Sequence, residues 1–83
     1  MASISTEEAV ADIIRDVLDQ PGLKLARDTT ADGVEGWDSL NHINIVVATE
    51  QRFGIKFKTA EIETLRNFGD FVDLVENKRR AKT

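Results

Sequence analysis

Three segments of this 83-residue chain carry apolar residues at helical spacing, and this repeat constrains the fold more than any other feature. The first segment begins with Ser5-Thr6-Glu7-Glu8, a capping box in which Glu8 reaches back to the N-cap Ser5. It predicts a helix over residues 6–19, which Pro21-Gly22 ends. Its apolar positions are Val10, Ile13, Ile14, Val17 and Leu18.

The second segment predicts a helix over residues 39–53, with Asp38 as its N-cap and Gly54 as its stop signal. Its helical wheel carries two apolar stripes, of which one must face the core. The other either contacts another helix or stays exposed for partners. The first stripe consists of Ile45, Val46, Thr49 and Phe53, with His42 among them, and the second of Leu40, Ile43 and Val47.

The chain between the second helix and the last one has a strand-like start. Residues 55–58 alternate between apolar and basic, but they are too short and too isolated to build a sheet. We therefore expect an extended connector with Ile55 or Phe57 turned inward. Thr59 is then expected to cap a short helix over residues 60–65.

The third amphipathic segment follows Asn67, which we expect to cap the last helix. Its apolar positions are Phe68, Phe71, Val72, Leu74 and Val75. Residues 20–37, between the first two helices, have no sustained periodicity, and a loop of this length is usually functional or packed by its own side chains. The patterns predict one all-α domain over residues 1–83: a small bundle of three main helices, one short helix and a long first loop.

Composition excludes several classes of protein. No apolar run approaches membrane-spanning length, and the N-terminal residues lack the basic start and apolar stretch of a signal peptide. There is no cysteine, which removes disulfides and thiolate metal sites and fits a reducing compartment. We expect a cytoplasmic monomer that does not insert into membranes.

Charge is unevenly distributed along the chain. The formal charge is −4, but residues 79–83, with Lys78 before them, form a basic tail beyond a core of about residues 6–78. Without the four basic residues of the last six positions, seven basic residues face 15 acidic ones, a charge of −8. An acidic body repels nucleic acid and attracts proteins with basic docking surfaces. We expect the tail to be a frayed, solvated end.

The motif Gly36-Trp37-Asp38-Ser39-Leu40 lies where the long loop enters the second helix. Ser39 falls in the first helical turn, where unpaired amides and the positive end of the helix dipole favour an anion such as a phosphate ester. By itself, however, Asp-Ser-Leu is also a simple helix cap. A hydrolase nucleophile is disfavoured, because the Gly-x-Ser-x-Gly elbow is absent and His42 lacks an orienting group and an oxyanion site.

The motif and its surroundings resemble the acyl and peptidyl carrier proteins. The resemblance runs from Thr6 to about Lys78 and includes the long loop, Phe53-Gly54 placed 15 residues after Asp38, and the closing amphipathic helix. In that family the serine of Asp-Ser-Leu holds 4′-phosphopantetheine from coenzyme A. The resemblance therefore implies a carrier, not an enzyme, with its arm on Ser39 between Asp38 and Leu40. The arm would hold cargo as a thioester.

The resemblance also implies a surface for partner enzymes around the second helix. The corresponding positions are Trp37, Asp38, Leu40, Asn41, Ile43, Asn44, Val47, Glu50 and Gln51. Only Asp38 and Glu50 are charged, whereas carriers of fatty-acid synthesis are usually rich in acidic residues here. We interpret this as a specialised carrier whose docking relies more on apolar contacts. For Trp37, which replaces the usual aliphatic residue, anchoring of the loop is favoured slightly over docking.

A cavity for the acyl chain is implied between the second and third helices. It would be lined by Val46, Thr49, Ile62, Leu65 and Phe68. Carriers of the fatty-acid type usually have leucine where Thr49 stands, so a deep apolar tunnel is less expected than a gap for short or polar cargo. No metal site is expected, because the loop around Asp28 and Asp32 matches only part of a calcium-binding loop and has Ser39 at the bidentate position.

Three hypotheses for function follow. The favoured one is an acyl carrier of fatty-acid, lipid or polyketide-type biosynthesis. Its partners would be a phosphopantetheinyl transferase and acyl-transferring, condensing or ligase enzymes, with no nucleic acid. The alternatives are a stand-alone aminoacyl or peptidyl carrier and, from another class, a non-catalytic helical adaptor in which Asp38-Ser39-Leu40 is only a cap.

Overall fold

The computed structural model describes residues 5–82, and these residues form four α-helices and no strand. The helices are α1 (Thr6–Val17), α2 (Ser39–Phe53), α3 (Thr59–Glu63) and α4 (Phe68–Lys82). One 3₁₀ turn, Ala31–Gly33, lies in the long loop between α1 and α2. The all-α prediction is confirmed. Residues 1–4 and Thr83, on which the signal-peptide argument and the end of the basic tail depend, lie outside the described residues.

Two helix starts follow the predicted caps. The Ser5 hydroxyl accepts from the Glu8 amide at 3.2 Å, so Ser5 is the N-cap of α1. Likewise, the Asn67 side chain accepts from the Asp70 amide at 2.8 Å and holds the first turn of α4. The end of α1 was predicted two residues too late, because the chain leaves the helix after Leu18 and Asp19 takes a left-handed conformation.

The bounds of α2 agree with the prediction, but those of α3 do not. Gly54 stops α2 in a left-handed conformation, with φ at 66°. Thr59 is the first residue of α3 and not its cap, which is Lys58. The Glu61 carboxylate accepts from the Lys58 amide at 2.8 Å, an interaction that pulls the helix start back by one residue. Since α3 already ends at Glu63, it is shorter than predicted.

The core lies between one face each of α1, α2 and α4. Its largest fully buried side chains are Val10, Ile14, Ile45, Thr49, Phe68 and Val75. Ile55 of the connector is buried, and the half-buried Phe57 ring packs against Phe71 with centroids 5.8 Å apart. The first stripe of α2 therefore faces the core, and both apolar residues of the connector help to close it.

The long loop is held on the start of α4 by the main chain. The amides of Phe68 and Gly69 donate to the carbonyls of Thr29 and Arg27, each at 2.8 Å. The Arg27 guanidinium then bonds the Asp73 carboxylate at 2.7 Å, which raises the pKa of Arg27 above its ordinary value. These contacts fix where the loop crosses the bundle and so where it delivers the chain to α2.

Replacing Gly69 with alanine should loosen this crossing. An added Cβ would lie 2.9 Å from the Arg27 carbonyl oxygen, and that backbone cannot move without breaking its bond to the Gly69 amide. We expect Gly69→Ala to lower the free energy of unfolding by about 1–3 kcal/mol, measured by chemical denaturation. Gly22→Ala is the matched control, since its Cβ would meet nothing within 4 Å and should change stability by less than about 0.5 kcal/mol. Equal effects would contradict the role of the close approach.

The basic tail is helical through Lys82, so the expected frayed end is wrong for the described part of the tail. The Arg79 guanidinium lies 4.9 Å from the centre of the Phe53 ring and donates to the Thr6 hydroxyl at 2.5 Å. Thr6 in turn donates to the Glu76 carboxylate. Lys78, whose hydrogen bond lowers the pKa of Glu61, pairs with that carboxylate at 2.8 Å.

Through these tail contacts, the end of α4 holds both the start of α1 and the short α3 in place. The Glu61 carboxylate is half-buried between α3 and α4. Across residues 5–82, no helix is both long and apolar enough to cross a membrane.

Candidate functional site

Ser39 is the first residue of α2, and its side chain is exposed. The residues on either side of Ser39 have different roles. The Asp38 carboxylate accepts from the Asn41 amide at 2.8 Å and caps the helix. Leu40 projects outward with 69% of its surface exposed. The Ser39 hydroxyl is therefore presented to solvent at the positive end of a helix of 15 residues.

The turn before Ser39 is braced by a contact that sequence reasoning missed. Gly36 adopts φ of 86°, a left-handed conformation that glycine takes without strain. Its carbonyl accepts from the Asn41 side chain at 2.7 Å, and Asn41 in turn accepts from Asn44 at 3.3 Å. The Asn41 side chain is thus half-buried and committed to the turn, although we expected it to face a partner.

Trp37 anchors the loop in the core, as the sequence slightly favoured, and only 9% of its surface is exposed. Its indole N–H donates to Nδ1 of His42 at 3.1 Å, and the two rings are stacked with centroids 6.2 Å apart. Burial lowers the pKa of His42 below its ordinary value. His42 is therefore an acceptor for the indole, a role that differs from that of a base oriented by a carboxylate.

The exposed apolar side chains on α2 form a ridge, which we call the α2 ridge: Leu40, Ile43 and Val47, with 69%, 58% and 43% of their surfaces exposed. These three are the large hydrophobic residues that the described chain leaves exposed. Of the polar positions proposed for docking, Asn44 and Gln51 are exposed beside the ridge. Glu50 is half-buried and accepts from the Phe57 amide at 2.8 Å, so it also holds the connector.

The residues proposed to line an acyl cavity lie in the core or at its edge. Val46, Thr49 and Phe68 are buried, whereas Ile62 and Leu65 are half-buried at the edge of the core. The Thr49 hydroxyl donates to the Ile45 carbonyl of its own helix at 2.8 Å. The hydrogen of the Thr49 hydroxyl is thus already bonded within its own helix. Thr49 therefore presents a less polar surface to the interior than a free hydroxyl would.

A small cavity lies beside Trp37 and His42, which flank Ser39 in the chain. It measures about 30 Å³ and is bordered by Trp37, His42, Leu65 and Phe71, with Arg66 and Asn67 at its polar side. Only Leu65 belongs also to the predicted lining. Within residues 5–82, no group of three or more His, Cys, Asp or Glu side chains is arranged to hold a metal ion.

The environment of Ser39 fits a covalently attached phosphodiester. Its hydroxyl is exposed, and the first turn of α2 leaves amide groups without acceptors inside the helix. The nearest hydrophobic neighbour, Leu40, is also exposed and does not cover the site. An attached chain could thus extend into solvent or along α2 without displacing a core residue.

Comparison with known proteins agrees with this geometry. The family described as "Phosphopantetheine attachment site" matches residues 8–75. The acyl carrier protein of Acidothermus cellulolyticus is 31% identical over 78 residues, covering 90% of this chain and 93% of that protein. The acyl carrier protein of Buchnera aphidicola is 29% identical over 76 residues, covering 92% and 95%.

A solved structure gives the same result. The solution structure of the holo acyl carrier protein from Geobacter metallireducens superposes with a TM-score of 0.88 and 39% identity, covering 95% of this chain and 91% of that one. Members of this family are non-catalytic carriers that bear covalent 4′-phosphopantetheine and work with a phosphopantetheinyl transferase and biosynthetic enzymes. The chain belongs to the phosphopantetheine-binding acyl carrier protein family.

Proposed function

We propose that Ser39 is the residue that bears 4′-phosphopantetheine in this single carrier domain. The observation that carries the proposal is the exposed Ser39 hydroxyl at the first position of α2. A transferase must reach the hydroxyl, and no core packing has to open for it to do so. Ser5 offers a contrast, because its hydroxyl already accepts from the Glu8 amide as a helix cap.

The residues around Ser39 would bind and orient the attached chain. Asp38 and Asn41 hold the helix start in place through their own bonds, so the hydroxyl keeps its position during modification. The positive end of α2 favours the phosphodiester charge. When bound, the arm supplies a terminal thiol that holds an acyl group as a thioester.

We propose that partners dock mainly on the α2 ridge. Its three side chains are apolar and lie beside Ser39, whereas Asn41 and Glu50 are partly used within the fold. The polar Asn44 and Gln51 would form the rim of this surface. Rim charges mainly set association rate and salt dependence, and this surface has few of them. The partners would be acyl-transferring, condensing or ligase enzymes in the cytoplasm.

The acidic residues of α2 distinguish this chain from a carrier with a strongly charged helix. Asp38 caps the helix and Glu50 holds the connector, so neither carboxylate is committed to docking alone. We therefore propose a specialised acyl carrier that serves its own enzyme set in fatty-acid, lipid or polyketide-type synthesis.

Cargo would enter beside α3, which is the helix that depends most on packing against its neighbours. It has only five residues, and short helices do not persist without packing. Ile62 of α3 and Leu65, which follows the helix, are half-buried and pack against the core that contains Val46 and Phe68. Movement of α3 could open this space while α1, α2 and α4 remain folded.

Hydrogen exchange tests this entry route. Without cargo, amides in residues 59–65 should exchange faster than those of α1, because α3 has fewer buried contacts. Loading an acyl chain should slow exchange at the Ile62 and Leu65 amides, and protein that carries the arm without cargo is the control. Exchange in residues 59–65 as slow as in α1 before loading would show that this segment is rigid and would contradict the route.

The experiment for the proposed function is incubation with coenzyme A and a phosphopantetheinyl transferase, followed by intact-protein mass spectrometry. A carrier gains one phosphopantetheine unit per chain, whereas a helical adaptor gains none. Loading with different acyl and aminoacyl groups by candidate ligases then separates the acyl carrier from the aminoacyl carrier.

A further inference from the structure

The Trp37–His42 contact joins the tryptophan and the histidine of a chain that has one of each. Trp37 lies two residues before Ser39, and His42 lies three residues after it, so the contact spans the start of α2. The indole N–H belongs to a largely buried ring and needs an acceptor. Nδ1 of His42, 3.1 Å away, is that acceptor.

This geometry fixes the protonation state of His42. Nδ1 can accept only when it bears no proton, so the ring must be neutral with its hydrogen on Nε2. A protonated imidazolium donates from both nitrogens, which would place two N–H donors against each other across the same short distance. The contact therefore exists with neutral His42 and is lost when the ring takes up a proton.

The charged groups near His42 have partners of their own. Arg66, from the segment between α3 and α4, borders the cavity that His42 lines, and it pairs with Asp70 of α4 at 3.8 Å. On α2 itself, the Asp38 carboxylate is engaged by the Asn41 amide, and the positive end of the helix lies nearby. The cavity residues from the long loop and from α4, Ala31 and Phe71, are uncharged.

We propose that the Trp37–His42 hydrogen bond is a proton-sensitive latch that holds the entry to α2 in place beside Ser39. At neutral pH the latch is closed and the indole fixes the chain before Asp38 against the core. Acidification protonates His42, breaks the bond and frees the Trp37 ring. The effect of the latch on Ser39 rests on the proposed function, but the latch itself does not.

The direction of the pH effect follows from the burial of His42. Burial lowers the pKa of His42 below its ordinary value of 6.5, so the unfolded chain takes up this proton more readily than the folded one. The stability contribution is fully present above pH 6.5 and declines as the pH falls from there through the lowered pKa. The latch is therefore closed at neutral pH and open in mild acid.

Nuclear magnetic resonance tests the latch on the full chain, because its one indole and one imidazole give single signals. We expect the Nε2–H tautomer at neutral pH and an indole N–H signal that titrates together with His42, at a midpoint below 6.5. A protonated Nδ1 at neutral pH, or an indole signal that ignores the titration of His42, would overturn the proposal.

Two variants separate the hydrogen bond from packing. His42→Gln keeps an acceptor that does not titrate, so its indole signal should lose the pH dependence. His42→Phe keeps a stacked ring but removes the acceptor, and its indole hydrogen should exchange about two- to twelvefold faster at neutral pH, as expected for loss of one neutral hydrogen bond. Equal exchange in wild type and His42→Phe would show that packing alone holds Trp37.

The consequence at Ser39 is measured with one transferase across the same pH range. As the pH falls, wild type should be modified more slowly relative to His42→Gln, because its KM rises. The midpoint of this change should match that of the indole titration. A constant ratio would show that the latch does not govern Ser39. If neither protein is modified, the proposed function is contradicted, and the latch is tested by the resonance measurements alone.

Discussion

Ser39→Ala should fold like the wild type and gain no phosphopantetheine when incubated with coenzyme A and a transferase. Alanine lacks the oxygen to which the arm is attached, so the loss should be complete. The fold should persist because Ser39 is exposed and Asp38 still caps α2 through the Asn41 amide. Intact-protein mass spectrometry measures the modification, and circular dichroism checks the helices.

Ser5→Ala is the matched control for this variant. Ser5 is also exposed at a helix start, but its hydroxyl serves as the cap of α1. The control should lose about 1 kcal/mol of stability and still gain one phosphopantetheine unit. If Ser39→Ala gained the unit as well, the arm would be attached to another residue and the proposed site would be wrong.

Val47→Asp should weaken partner binding about tenfold or more, because it puts a charge on an apolar docking surface. Val47 is 43% exposed, so the substitution places the carboxylate on the α2 ridge without burying it in the core. Binding to a partner enzyme, measured at several salt concentrations, gives both the affinity and the contribution of charge. The expected loss should come mainly from faster dissociation.

Gln51→Glu is the control for added charge. Gln51 lies four residues after Val47, is exposed and lines with it an open surface pocket at the end of α2. It should change affinity little and mainly alter the salt dependence. A Val47→Asp variant with wild-type affinity, together with a steep salt dependence of the wild type, would contradict apolar docking.

Local sequence signals predicted the helices well where the responsible contacts lie close together in the chain. Asp38 and Gly54 set both ends of α2, and Ser5 set the start of α1, because caps act over a few residues. The start of α3 was missed, since Lys58 is an unusual cap whose amide is satisfied by Glu61. No preference for residue types at caps would have selected it.

Contacts between distant residues could not be predicted in the same way. Arg27 of the long loop reaches Asp73, and Arg79 reaches Thr6 of α1 and Phe53 of α2, so α4 is held in place by three other parts of the chain. As a local pattern, a cluster of basic residues at a chain end is typical of a solvated tail. Only the packing of α4 against α1 and α2 reveals that Arg79 has partners.

The candidate site shows the same difference between local signals, which could be predicted, and contacts that depend on the fold. Helical periodicity placed Leu40, Ile43 and Val47 on one face of α2, and the motif led us to propose Ser39 as the attachment site. It did not identify the inward bond from Asn41 to Gly36 or that from Trp37 to His42. Both depend on the path of the loop, for which residues 20–37 carry no periodic signal.

We propose that this chain carries acyl groups as thioesters on an arm at Ser39. The most direct measurement loads the protein from an acyl coenzyme A with a transferase, and follows the intact mass before and after treatment with neutral hydroxylamine. We predict one acyl-phosphopantetheine unit per chain before treatment. Hydroxylamine should then remove the acyl group and leave the arm, with the remaining mass located at Ser39 by fragmentation. No mass gain, or an acyl group that resists hydroxylamine, would contradict the account.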